Sequence, residues 1–190
     1  MKIGIDLDGV VIDSEQTFRT YEEIFSMEEL CGRKILNAEE PKFQQRYDWN
    51  EEEKNRFINK YFIEVSKNSG LMSGFVPVYK RLKEKGHEFI VITARGGYVS
   101  EMKDDAIRIL NESKIVFDNY YWNIDNKLEI CQKENIDLMI DDDYRIIKNL
   151  NEYGIKTLYF RDTNLVKLEE SDLMHEVNNW GDVYRYLYNK

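Results

Sequence analysis

Short apolar runs alternate along the chain with longer stretches in which apolar residues return every three or four positions. The first run, Ile3-Gly4-Ile5, reaches Asp6-Leu7-Asp8-Gly9 before Val10 and Val11, the profile of a buried parallel strand that opens into a loop at a carboxylate pair. Over residues 14–74 the pattern becomes helical and rich in aromatics. Asn50 stands where it can cap a helix whose first turn is Glu51-Glu52-Glu53, and Phe57, Ile58, Tyr61, Phe62 and Val65 form the apolar stripe. This segment reads as a helical subdomain inserted into a body formed by residues 1–13 and 75–190.

From there the rhythm is β-α-β. A helix over 76–85 closes at Gly86, and strand 88–92 runs into Thr93-Ala94-Arg95-Gly96-Gly97. A helix over 100–111 leads to a strand over 115–122, and a short helix starts near Lys127. Strand 136–140 ends at Asp141-Asp142-Asp143; Tyr144, Ile147 and Leu150 mark another helix, 155–160 is the last core strand, and a helix from about 182 closes the chain. Alternation of this kind predicts an α/β fold: a three-layer, Rossmann-like parallel sheet with helices on both faces and a helical insertion after strand 1.

Composition narrows the function classes. The chain has 190 residues, long enough for one α/β core plus an elaboration. A net charge of -9 offers no global field for polymeric nucleic acid or an anionic membrane, so an anionic substrate needs a metal or a few placed cations. Cys31 and Cys131 lack CxxC spacing and read as free thiols; the N-terminal apolar run is broken by Asp6 and Asp8, unlike a signal peptide. A cytoplasmic location is the default expectation, and a homodimer is left open. His87 and His175 share no ligand spacing and read as structural.

Four segments put polar residues just after apolar strands or at a helix start: Asp6/Asp8, Thr93/Arg95, Lys127 and Asp141/Asp142. In an open parallel sheet the strand carboxyl ends converge on one crevice, so these groups can meet. Clustered carboxylates repel one another unless a cation sits among them, and an all-oxygen set suits Mg²⁺. A carboxylate nucleophile, a lysine and a metal on the phosphoryl oxygens, and a second carboxylate moving the proton make a phosphoryl-transfer site.

In order and spacing these motifs resemble the haloacid dehalogenase-like superfamily of phosphatases over nearly the whole chain. Asp6-Leu7-Asp8-Gly9-Val10 is similar to its first motif, Ile92-Thr93 to its second, Lys127 to its third and Asp141-Asp142 to its fourth. The resemblance implies Asp6 as nucleophile, Asp8 as general acid and base, and Thr93, Ala94, Arg95 and Lys127 as phosphate-binding residues. It further implies Mg²⁺ held by Asp6, the Asp8 backbone carbonyl and Asp142, with Asp141 orienting Lys127 or a metal water. An Asp two residues after the nucleophile implies hydrolysis or mutase chemistry, since transport ATPases of this superfamily have Thr there.

A narrower resemblance, to the 5'(3')-deoxyribonucleotidase group, rests on Val91-Ile-Thr-Ala-Arg95, Tyr47-Asp48-Trp49-Asn50 and Asn179-Trp180. It implies a nucleoside monophosphate as substrate, with Phe18, Phe43, Tyr47, Trp49 and Tyr61 of the inserted cap as surface for a nucleobase. A sugar phosphate or another small phosphomonoester is the alternative within phosphatases. A phospho-accepting receiver module is disfavoured because it lacks an insertion of this size, a non-catalytic binding module because all four motifs are intact, and dinucleotide chemistry because no GxGxxG follows a strand.

Overall fold

The computed structural model describes residues 1–33, 35–40, 43–97, 99–162 and 166–188. The strands are β1 (Lys2–Ile5), β2 (Glu88–Ile92), β3 (Asn119–Tyr121), β4 (Leu138–Asp141), β5 (Thr157–Phe160) and β6 (Met174–Val177). They form one sheet in the order β3-β2-β1-β4-β5-β6, every pairing parallel. Helices α1 (Ser14–Glu29), α2 (Phe43–Arg46) and α3 (Glu51–Asn68) lie between β1 and β2 in the chain. The others are α4 (Phe75–Glu84), α5 (Glu101–Glu112), α6 (Lys127–Glu134), α7 (Tyr144–Glu152) and α8 (Trp180–Leu187).

The two-residue period of the strands explains the three layers. Ile3 and Ile5 of β1, Phe89 and Val91 of β2, and Leu138 and Ile140 of β4 pack in one core with Phe75, Val78 and Leu82 of α4, Leu110 of α5, and Val183 and Leu187 of α8. The alternate residues Ile90, Ile92 and Met139 face the other way, onto Cys131 of α6 and Leu150 of α7. A strand buried on both faces has no room for polar alternation, which is why these runs are continuously apolar. Gly86, just past α4, takes φ +83°, the left-handed turn that ends a helix before the chain reverses into β2.

The inserted segment has its own apolar cluster, in which Phe25, Phe43, Tyr47, Trp49, Phe57 and Tyr61 are all buried. A reciprocal cap starts α3: the Asn50 side chain accepts from the Glu53 N–H at 3.0 Å and the Glu53 carboxylate accepts from the Asn50 N–H at 2.8 Å. Two expectations need correction. Pairing of β3 covers only Asn119–Tyr121: residues 115–117 alternate between core and solvent as a strand does, but contact with β2 begins only where the Asp118 N–H reaches the Phe89 carbonyl at 2.9 Å. The sheet also gains β6, beyond 155–160, whose centre His175-Glu176 is only half-buried at the sheet edge. Among the described residues no helix is long and apolar enough to cross a membrane.

Candidate active site

The strand order reverses at β1, which has β2 on one side and β4 on the other, and a crevice opens there at the strand carboxyl ends. Asp6 leaves β1 with its backbone N–H on the Ile140 carbonyl of β4 at 3.0 Å. Leu7 then accepts from the N–H groups of Val11 and Ile12 at 2.9 and 2.8 Å, closing a tight turn that carries Asp8. Trp180 of α8 fixes that turn from below, its indole N–H on the Val10 carbonyl at 2.8 Å.

Lys127 is buried at the first turn of α6, with Nζ 2.6 Å from Asp141 Oδ2 and 3.1 Å from Asp6 Oδ1. Burial opposes its charge, but the two carboxylates outweigh burial and hold the ammonium above its ordinary value. The other oxygen of Asp141 accepts the Asp143 N–H at 2.9 Å. Asp141 is thus fully buried and engaged on both oxygens, whereas Asp142 lies over Gly9. There a Cβ would stand 2.2 Å from Asp142 Oδ2, and φ is +69°, so the position requires glycine.

Carboxylate oxygens of Asp6, Asp141 and Asp142 all lie within 4.8 Å of one another. Burial pushes the Asp6 carboxyl up to about 7; Lys127 opposes the rise, while Asp141 and Asp8 add to it. Burial also drives Asp142 well above the ordinary carboxylate range, reinforced by Asp141 and Asp6. Burial and the neighbouring carboxylates oppose ionisation of Asp6 and Asp142, among the described residues Lys127 is the cation against Asp6 and Asp141, and the donor set is entirely hard oxygen. Mg²⁺ fits those residues.

Thr93 is buried at the end of β2, its N–H on the Tyr121 carbonyl at 3.0 Å and its hydroxyl accepting the Arg95 N–H at 3.2 Å. Ala94 is exposed and lines two cavities. One, of about 650 Å³, holds Asp6, Lys127, Asp141 and Asp142. The other, of about 300 Å³, is lined by Asp8, Phe18, Phe43, Phe62, Arg46 and Arg95. Arg95, expected to grip phosphate, here forks onto Asp8: Nε to Oδ2 at 3.0 Å and Nη2 to Oδ1 at 2.5 Å. Burial would raise the Asp8 carboxyl, but the charge and hydrogen bonds of Arg95 prevail and hold it below its usual range.

The crevice therefore gathers Asp6, Asp8, Thr93, Ala94, Lys127, Asp141 and Asp142, with Arg95 behind Asp8. The aromatic expectation is corrected. Phe43, Tyr47, Trp49 and Tyr61 are at most 8% exposed; Tyr47 and Trp49 stack on each other at 4.4 Å, and of these four only Phe43 reaches the cavity wall. Large aromatics in a segment this small are needed for its own core.

Sequence reasoning missed an ionic network in that same wall, which Glu15, Glu22 and Arg46 line. Arg46 donates to both oxygens of Glu22 at 3.0 and 2.7 Å, and to Glu15 at 2.7 Å. Glu15 also pairs with Arg19 at 2.9 Å. The signal was the spacing of Glu15, Phe18, Arg19 and Glu22, which places all four on one face of α1.

No protein-family model matches the chain, and no curated protein matches it in sequence. Solved structures do. A haloacid dehalogenase-like family hydrolase from Xanthomonas campestris superposes with TM-score 0.68 at 12% identity, covering 99% of this chain and 94% of that one. A predicted phosphatase from Clostridium acetobutylicum gives 0.67 at 15%, over 100% and 98%. A predicted phosphoglycolate phosphatase from Haemophilus somnus gives 0.62 at 13%, over 97% and 96%. The class is thereby defined at the level of fold: a parallel six-stranded α/β sheet of the haloacid dehalogenase-like type.

Proposed function

We propose that this protein is a Mg²⁺-dependent phosphomonoester hydrolase that works through an aspartyl-phosphate intermediate. The observation that carries the reading is the contact of the Asp6 carboxylate with Lys127 inside a cluster of acidic side chains, with Asp8 two residues further on. Asp6 attacks phosphorus as the bond to the leaving-group oxygen breaks, and Asp8, which must first leave the Arg95 fork and take up a proton, gives that oxygen its proton. Water then attacks the acyl phosphate, Asp8 takes the water proton, and phosphate and free Asp6 are restored. Lys127 and Thr93, with the Ala94 backbone, bind the phosphoryl oxygens; Asp141 holds Lys127 toward Asp6. Asp6, Asp142 and the Asp8 backbone carbonyl, supported by Asp141, would hold Mg²⁺, which when bound neutralises charge on the phosphoryl group.

We further propose that residues 14–74 form the cap over a core of residues 1–13 and 75–190, and that the leaving group is a nucleoside. Phe18, Phe43 and Phe62 beside Asp8 support that choice. The test is a panel of phosphomonoesters with Mg²⁺: nucleoside monophosphates are expected to be hydrolysed fastest, and activity confined to sugar phosphates would reject the nucleotidase reading. Asp6→Asn is expected to abolish turnover on every ester, and retained turnover would reject the phosphoenzyme.

A further inference from the structure

We propose that Glu15 is a specificity-determining residue: its carboxylate accepts a hydrogen bond from a hydroxyl of the leaving alcohol and turns away alcohols that carry a second anionic group. This rests on the phosphomonoesterase reading above and deepens it, because it concerns the half of the substrate that leaves.

Glu15 stands in the first turn of α1 and lines the same cavity of about 300 Å³ as Asp8. Its charge is felt at Asp142, which sets it toward the phosphoryl end of that cavity. Both of its described cationic partners lie on Oε1, Arg46 Nη2 at 2.7 Å and Arg19 Nε at 2.9 Å. Among the described residues Oε2 has no hydrogen-bond partner, and the side chain is 19% exposed.

The carboxylate is held in place from behind. Arg46, whose side chain is 1% exposed, donates through Nη1 to both oxygens of the fully buried Glu22 and through Nε to the Glu40 carbonyl at 3.0 Å. Burying a cation with a carboxylate costs desolvation that their attraction does little more than repay, so such a pair is weak evidence of a stabilising role. Its effect here is to lock the position of a further charge, as a selecting group requires.

What the cavity admits follows from that placement. Its two arginines are engaged by its own carboxylates, Arg46 by Glu22 and Glu15, and Arg95 by Asp8. A hydroxyl can donate to Glu15 Oε2. A carboxylate or second phosphate in the same place meets a like charge, with Phe18, Phe43 and Phe62 rather than water around it. In a nucleoside 5'-monophosphate the hydroxyls nearest the ester belong to the sugar, so the sugar, and not the base, faces Glu15.

Three esters of similar size separate the effects: propyl phosphate, glycerol 3-phosphate and phosphoglycolate, compared by kcat/KM with Mg²⁺. In the parent, glycerol phosphate should exceed propyl phosphate about 30-fold, as for a hydrogen bond to a charged group. Phosphoglycolate should be the poorest of the three. Glu15→Gln keeps an oxygen for Arg46 and turns its amide N–H groups to the cavity. The hydroxyl preference should then shrink to about threefold, as for a neutral hydrogen bond. Phosphoglycolate should gain about tenfold relative to propyl phosphate as the like charge disappears. Where turnover is slow, the same ratios are read from inhibition of p-nitrophenyl phosphate hydrolysis.

Glu15→Asp withdraws the acceptor but keeps the charge, so it should lose the hydroxyl preference and still reject phosphoglycolate. It carries the test if Glu15→Gln does not fold. An equal loss on all three esters would make Glu15 a structural residue and overturn the proposal, as would a parent that prefers phosphoglycolate. If the ratios hold but nucleoside monophosphates are not hydrolysed, the nucleoside reading fails and this one stands. Hydrolysis of no ester at all, p-nitrophenyl phosphate included, would overturn the phosphatase reading and this inference with it.

Discussion

At the scale of single residues, what the sequence conveyed depended on whether a side chain's partner was near in sequence or fixed by the fold. Asp6, Asp8, Thr93 and Lys127 follow strand ends or open a helix, and the topology of a parallel sheet brings such positions to one edge. Arg95 was legible as a cation near the site but not as the partner of Asp8, because that pairing joins residues 87 positions apart. His87 is a residue-scale case of another kind. It is buried where α4 turns into β2, and neither ring nitrogen has a hydrogen-bond partner among the described residues. Burial, then the chain's N-terminal ammonium and Lys85, depress its pKa below the ordinary value of 6.5. The unfolded chain therefore takes up the proton first, and stability falls as pH drops through 6.5 toward the depressed folded value. Urea midpoints measured from pH 7.5 to 5 should decline less in His87→Phe than in the parent. Parallel declines would show that His87 carries no linkage.

At the scale of elements, the strands buried on both faces were readable because continuous apolar runs admit few other structures. Edge strands gave weaker signals: β6 has Met174 and Val177 as its only buried residues, and a polar pair between them is indistinguishable from a loop. The start of α3 was legible from Asn50 as its cap, and the structure adds the return bond, in which the Glu53 carboxylate accepts from the Asn50 N–H. Asn50→Ala removes the acceptor for the Glu53 N–H and is expected to cost about 1 kcal/mol of stability, with Asn50→Asp restoring most of it. Chemical denaturation measures both. If alanine is neutral, the aromatic cluster of Phe25, Phe57 and Tyr61 alone sets where α3 begins.

At the scale of the whole molecule, topology was legible and carried charge placement at the site with it. The alternation of strands and helices foretold the parallel sheet and so the meeting of Asp6, Asp141 and Asp142, whose oxygens lie within 4.8 Å of one another, which the net charge of -9 by itself does not say. That convergence is a consequence of strand order, and it is unfavourable: burial and mutual repulsion both oppose ionisation of Asp6 and Asp142. Two consequences have opposite signs. Without a divalent cation, Asp142→Asn removes one repelling charge and should raise the melting temperature. With Mg²⁺ the parent should gain stability by binding, about 2.7 kcal/mol at a hundred times the dissociation constant, while the variant should gain little. Scanning calorimetry of both proteins with EDTA and with Mg²⁺ tests the pair of signs together. A parent whose melting temperature ignores Mg²⁺ would mean that the cluster holds no divalent cation. A variant less stable than the parent in EDTA would mean that Asp142 holds the Gly9 turn rather than straining it.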